Sequence, residues 1–193
     1  MEILGKILNS TSRVKIMRLF LQGRGKVFSN KDIVKRSRVN PSIARKEIKL
    51  LSSTGFIKKH STGWSLNTAF QFLRQFEELL VKSGEINRKT IIDNFKKTGK
   101  IKLIIISGLF IKEKDARVDL LIVGDKLKQG KVEESIKKLE AEMGTELAFV
   151  VLETKEFVYR LEMYDKLVRD VLDFPHEVVF ASKELSTYTL KKS

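Results

Sequence analysis

The sequence predicts an α/β chain organised as two domains, and three observations lead there. Positive charge is confined to one half: residues 1–100 carry 22 Lys and Arg against 7 Asp and Glu, a net of +15, whereas residues 101–193 carry 16 against 17, a net of −1. The first half reads as three helices followed by a short hairpin, and the second alternates strongly apolar strands with helices, the pattern of a helix-covered sheet. The pair Ser83-Gly84 interrupts the periodicity between them. These features predict a basic domain over residues 1–84, ending in a linking helix, and an α/β domain with a mixed sheet over residues 85–193. A chain of 193 residues can bury a core without metals or cross-links.

Composition narrows the chemistry. Cysteine is absent, which excludes disulfides, thiolate ligands and a cysteine nucleophile. With His60 and His176 as the only histidines, neither a histidine zinc site nor a serine–histidine hydrolase is expected. Met1 to Leu8 is too short and too interrupted for a signal peptide, and no apolar run approaches the ~20 residues of a membrane span. The expectation is a cytoplasmic protein without membrane contact, cofactor or metal. A basic half beside a neutral one points to a polyanionic partner for the first domain alone.

Within residues 1–84, Thr11 or Ser12 is expected to cap a helix carrying Val14, Met17 and Leu21 at helical spacing, closed by Gly23-Arg24-Gly25. Ser29-Asn30-Lys31-Asp32 has the form of a capping box and opens a second helix with Ile33 and Val34. Arg38-Val39 makes a turn. Asn40-Pro41 then starts a third helix with a good cap and a proline in the first helical position.

The third helix separates two faces. Ala44, Ile48 and Leu51 form an apolar stripe, while Ser42, Arg45, Lys46 and Lys49 fall together on another. A solvated lysine face is the ordinary explanation of such a helix taken alone. The elements around it argue for more: after Gly55, Phe56 to His60 reads as a strand, Ser61-Thr62-Gly63 as a turn and Trp64-Ser65-Leu66 as the returning strand. Three helices followed by a basic hairpin form a winged helix-turn-helix, in which the third helix presents donors to a major groove.

The run Ile43 to Ile57, IARKEIKLLSSTGFI, resembles the recognition helix and exit glycine of winged-helix regulators of the ArsR and MarR kinds, over about residues 5–66. The resemblance implies that the third helix enters the major groove through Arg45, Lys46 and Lys49, and that Lys58, Lys59 and His60 of the hairpin touch backbone or minor groove. Trp64, at the foot of the hairpin, is expected in the core, with stacking on a ligand or base as the alternative. Thr68 to Lys82 reads as a helix with Ala69, Phe72, Leu73, Phe76, Leu79 and Leu80 on adjoining rows. Its cover is either its own domain or the same helix of a second copy, and a homodimer would set two recognition helices about 34 Å apart.

In the second half, helices are expected over Ile86–Lys97, Gln129–Met143, Thr154–Glu162 and Asp165–Leu172, and strands over Lys102–Ser107, Arg117–Gly124, Leu147–Leu152 and Val178–Ala181. Ser107-Gly108-Leu109-Phe110, a charged loop and then Arg117-Val118-Asp119 before an apolar stretch resemble the signature of the nucleotidyltransferase fold. In that family the glycine turn approaches nucleotide phosphates and two acids on the next strand hold a divalent metal. Asp119 matches the second acid. Arg117 replaces the first, Leu109 stands where serine is expected, and Asp115 is the one nearby substitute. The resemblance therefore implies a degenerate domain without metal-dependent transfer; the ordinary role of such an acid is structural, so Asp119 is expected to pair with Arg117 or a neighbouring lysine, or to cap the strand end.

Three functions follow as expectations. The first is a sequence-specific regulator binding double-stranded DNA, with a second domain that senses a small-molecule or protein effector, dimerises or scaffolds. The others are an antitoxin-like nucleotidyltransferase and an RNA-binding accessory protein.

Overall fold

The computed structural model describes residues 3–82, 87–113 and 116–189. Among these the chain is mixed α/β, with ten α-helices, a two-stranded antiparallel sheet and a four-stranded mixed sheet. No described helix is long and apolar enough to cross a membrane. The chain falls into two compact units, Met1–Glu85 with Lys137–Glu146, and Ile86–Ile136 with Leu147–Ser193. The break expected at Ser83-Gly84, the helix start expected at Ile86 and the substitute acid Asp115 lie outside the described residues.

The first unit opens with α1 (Ile3–Ile7) and α2 (Thr11–Gln22). The cap of α2 is Ser10, not Thr11 or Ser12: Ser10 is extended, and its hydroxyl accepts the Arg13 amide at 3.0 Å, while Thr11 is already helical. Next, α3 (Asn30–Ser37) begins in the expected capping box, with the Asp32 carboxylate taking the Ser29 amide at 3.0 Å and the Ser29 hydroxyl taking the Asp32 amide at 3.2 Å. Arg38 turns the chain in a left-handed conformation, φ 53°. Asn40 caps α4 (Pro41–Ser53) by accepting the Ser42 amide at 3.0 Å. Val14, Met17 and Phe20 of α2, Ile33 of α3 and Ala44, Ile48 and Leu51 of α4 are buried in one core. Apolar residues recurring every three or four positions give α4 one buried face, whereas α2 is buried all round from Ile16 to Leu21.

Strands β1 (Ile57–Lys59) and β2 (Trp64–Leu66) pair antiparallel with Lys59 opposite Trp64. Phe28 and Trp64 exchange backbone hydrogen bonds at 2.8 and 2.9 Å, which ties the hairpin base to the chain ahead of α3. A Cβ at Gly63 would stand 2.3 Å from the Phe28 carbonyl oxygen, so this approach needs glycine.

The helix expected over Thr68–Lys82 is shorter: α5 spans Leu73–Glu77 and a π-helical turn follows over Glu78–Lys82. Two competing interactions take up the preceding residues. The Asn67 side chain accepts the Ala69 amide at 3.2 Å and its carbonyl accepts Phe70 at 3.1 Å, a local alternative to helix. The Phe70 ring then packs edge-on against Phe56, centroids 5.4 Å apart. Leu73 and Leu80 are buried within their own unit, whereas Phe72 and Leu79 stay exposed.

After the first unit, α6 (Arg88–Phe95) precedes β3 (Lys100–Ile106), β4 (Leu120–Asp125), α7 (Gln129–Met143, whose residues from Lys137 on belong to the first unit), β5 (Phe149–Leu152), α8 (Thr154–Glu162), α9 (Lys166–Asp173), β6 (Glu177–Ala181) and α10 (Lys183–Thr189). The sheet order is β5-β4-β3-β6, with β4 and β5 parallel and the other pairs antiparallel. Leu103, Ile105, Leu121 and Val123 share a core with Phe157 of α8 and Val168 and Val171 of α9. The alternating Ile104 and Ile122 are buried too, which explains why these strands read as unbroken apolar runs. The second strand starts at Leu120, three residues later than Arg117, because Val118 and Asp119 bond to groups other than a sheet neighbour in β3. Neither α1 nor α10 is legible in the sequence. Both are short and lack an apolar periodicity long enough to register.

Candidate functional site

The outward side of α4 carries Ser42, Arg45, Lys46 and Lys49, all exposed, while Ala44, Ile48 and Leu51 are inside. Helical spacing and the Asn40 cap fix this division, since the cap sets where the first turn begins. Lys58 and Lys59 are exposed on β1, and His60 is exposed at the turn, its Nε2 2.7 Å from the Ser65 hydroxyl. The structure therefore brings the cations of the helix and those of the hairpin into one unit, each at the surface.

Several arginines of this unit are paired with carboxylates. Arg13 pairs with Glu47 at 2.8 Å, Arg24 with Glu77 at 2.8 Å and Arg36 with Glu146 at 2.8 Å. Among the described residues, Arg45, Lys46, Lys49, Lys58 and Lys59 have no carboxylate within ion-pair distance. The one acid on α4, Glu47, is turned away from them: it is buried, accepting the Ser10 hydroxyl at 2.7 Å on Oε1 and Arg13 Nε at 2.8 Å on Oε2. At the start of α3, hydrogen bonds from the Ser29 hydroxyl and amide hold the Asp32 carboxyl below the usual carboxylate range.

Some residues of this surface give no signal in the sequence. Ile43 and Leu50 are 44% and 39% exposed among the cations, and an apolar side chain carries no charge to flag it. Asn30 Oδ1 accepts the Trp64 indole N–H at 3.0 Å. That bond, with the half-buried packing of the ring against the core, holds Trp64 structurally.

The second motif gathers differently from the expected pattern. Ser107 donates its hydroxyl to the Val118 carbonyl, and its amide donates to the Asp119 carbonyl at 2.9 Å. Gly108 adopts φ +53° in a 3-10 turn, Gly108–Phe110. Asp119 is buried, and each carboxylate oxygen takes a backbone amide: Oδ1 from Leu109 at 2.8 Å, Oδ2 from Ala148 at 2.8 Å. Of the two roles expected for Asp119, the salt bridge with Arg117 or a lysine is absent, and the carboxylate instead takes backbone amides at the strand end, directly before β4. Arg117 instead reaches Asp170 of α9, Nη1 to Oδ2 3.3 Å. These residues do not fit a divalent cation, which needs several converging oxygens. Among the described residues no group of three His, Cys, Asp or Glu side chains is placed to hold a metal.

Comparison of the chain with protein-family models, with curated proteins and with solved structures yielded no match.

Proposed function

We propose that this chain is a sequence-specific double-stranded DNA-binding protein, a cytoplasmic transcriptional regulator whose first unit is a winged helix-turn-helix. The observation that carries the reading is the concentration of five exposed cations on α4 and β1 without acidic partners among the described residues. Cations left without intramolecular partners are available to phosphate, and each contact releases condensed counterions. In this reading α4 lies in the major groove, with Ser42, Arg45, Lys46 and Lys49 toward bases and phosphates, and Lys58, Lys59 and His60 follow the adjacent backbone. The exposed Phe72 and Leu79 favour a homodimer, which would present two such helices to a two-fold site.

The second unit serves sensing, dimerisation or scaffolding rather than metal-dependent nucleotidyl transfer. Asp119, the one acid of the motif, spends both oxygens on backbone amides. Incubation with labelled ATP or CTP and magnesium tests this, and incorporation abolished in Asp119→Ala would reverse it.

The decisive experiment for DNA binding is selection of bound fragments from genomic DNA, followed by gel-shift titration of the recovered sequence. Arg45→Ala/Lys49→Ala is expected to bind at least several-fold more weakly with its fold intact. Unchanged affinity removes the claim for this face, and preference for structured RNA over duplex DNA at matched salt shifts the reading to RNA.

A further inference from the structure

A cavity of about 270 Å³ opens in the second unit beside the turn that follows β3. Its floor comprises Ser107, Val118 and Val171, all buried, and its lip carries Arg117, Lys166 and Phe174. The floor is electrically neutral, since the Ser107 hydroxyl already donates to the Val118 carbonyl. Apolar atoms of two valines and one aromatic ring provide most of what a ligand body would touch.

Among the described lining residues the lip has an excess of one positive charge. Arg117 and Lys166 share one carboxylate among the described lining residues, Asp170. Asp170 is committed to Arg117 through one guanidinium nitrogen at 3.3 Å, which leaves that guanidinium with further donors. The Arg117 side chain is 66% exposed, and Lys166 has no acidic partner among the described residues. Phe174 is 61% exposed at the same lip, where a ligand would cover it.

We propose that this cavity binds a small organic monoanion, an apolar or aromatic body seated on Val118 and Val171 with its carboxylate at Arg117 and Lys166. Charge sets the valence: one excess cation balances a carboxylate, whereas a phosphate monoester near −2 would remain uncompensated. Volume sets the size. A cavity of this volume takes a small organic ligand, such as one substituted ring, and not a polymer segment. The head group needs no metal, because Arg117 supplies a fixed planar donor fork suited to carboxylate. This site does not depend on the DNA-binding reading, although an effector bound there would suit a regulator.

The test is ligand-observed NMR on the full chain with three probes of similar size: phenylacetate, 2-phenylethylamine and 2-phenylethanol. Phenylacetate is expected to bind with a dissociation constant on the order of 1 mM, as ordinary ligand efficiency gives for this size, and the amine not to bind. Arg117→Ala/Lys166→Ala, both at exposed positions, is expected to weaken phenylacetate at least fivefold with unchanged circular dichroism, and Asp170→Asn to strengthen it. Equal binding of amine or alcohol, an unaffected double variant, or no binding of phenylacetate overturns the proposal. A chain that binds its DNA site and none of the probes overturns this proposal alone.

Discussion

Gly108 and Asp119 are built against each other: a Cβ on Gly108 would lie 2.2 Å from Asp119 Oδ1, the oxygen that accepts the Leu109 amide at 2.8 Å. The glycine is required twice over, by its φ of +53° and by the carboxylate beside it. Through the second oxygen the same carboxylate holds Ala148, just before β5, so one acid fastens the turn after β3 to the start of the neighbouring parallel strand.

Gly108→Ala is accordingly expected to destabilise the chain by at least about 2 kcal/mol, since the left-handed conformation alone costs roughly 1–2 kcal/mol and the carboxylate must also move. Asp119→Ala strands two amides and is expected to cost about 1–3 kcal/mol per unsatisfied group if water does not reach it. Urea unfolding followed by circular dichroism measures both. Stability equal to wild type in Asp119→Ala would show that the clasp contributes nothing.

Glu47 positions α4 from behind. Its carboxylate joins the Ser10 hydroxyl at the cap of α2 and the Arg13 guanidinium. Glu47→Gln is expected to lower stability by about 1–3 kcal/mol, the range for a hydrogen-bonded charged group. DNA affinity is expected to fall with it although Glu47 faces away from the groove. A variant with normal affinity would mean that the orientation of α4 does not rest on this tether.

Asp32 makes the cap of α3 depend on pH. Ser29 hydrogen bonds lower its pKa from the ordinary 3.8, so the stabilisation it gives is present above that value and is lost as pH falls through the lowered one. Asp32→Asn is therefore expected to be less stable than wild type near neutrality, and the two are expected to converge in acid below the folded-state pKa. Melting curves across that interval check it, and a gap that persists unchanged in acid would assign the loss to something other than the carboxylate charge.

Ile43 bears on sequence preference within the DNA-binding reading. It sits in the first turn of α4, 44% exposed, where a recognition helix meets base edges. An apolar side chain there matches the C5-methyl of thymine. Replacing thymines of the selected site by deoxyuridine is expected to weaken binding roughly fourfold at the contacted position, the worth of about one buried methyl. Ile43→Ala is expected to abolish that discrimination. Equal discrimination by both proteins in this double-mutant cycle would assign methyl recognition elsewhere.

Much of the local structure is legible in the chain. Asn40-Pro41 opens α4 and the Ser29 to Asp32 spacing makes a capping box, because each device acts between residues a few positions apart. The outward cations of α4 are equally readable, since helical period and a fixed start determine which side chains share a face. Long-range partners are not. Thr68–Phe72 has the composition of a helix, yet the Asn67 side chain and the packing of Phe70 against Phe56 draw it into turns. Proximity in sequence pairs Arg117 with Asp119, two residues away, but Arg117 meets Asp170, and Asp119 meets amides ten and twenty-nine positions distant. The amino-acid order by itself determined the mixed α/β class, the caps of α3 and α4 and the charged face. Only tertiary structure decided which buried acid serves which donor, because a carboxylate taken from water binds whatever donors the closed core sets around it, at any separation along the chain.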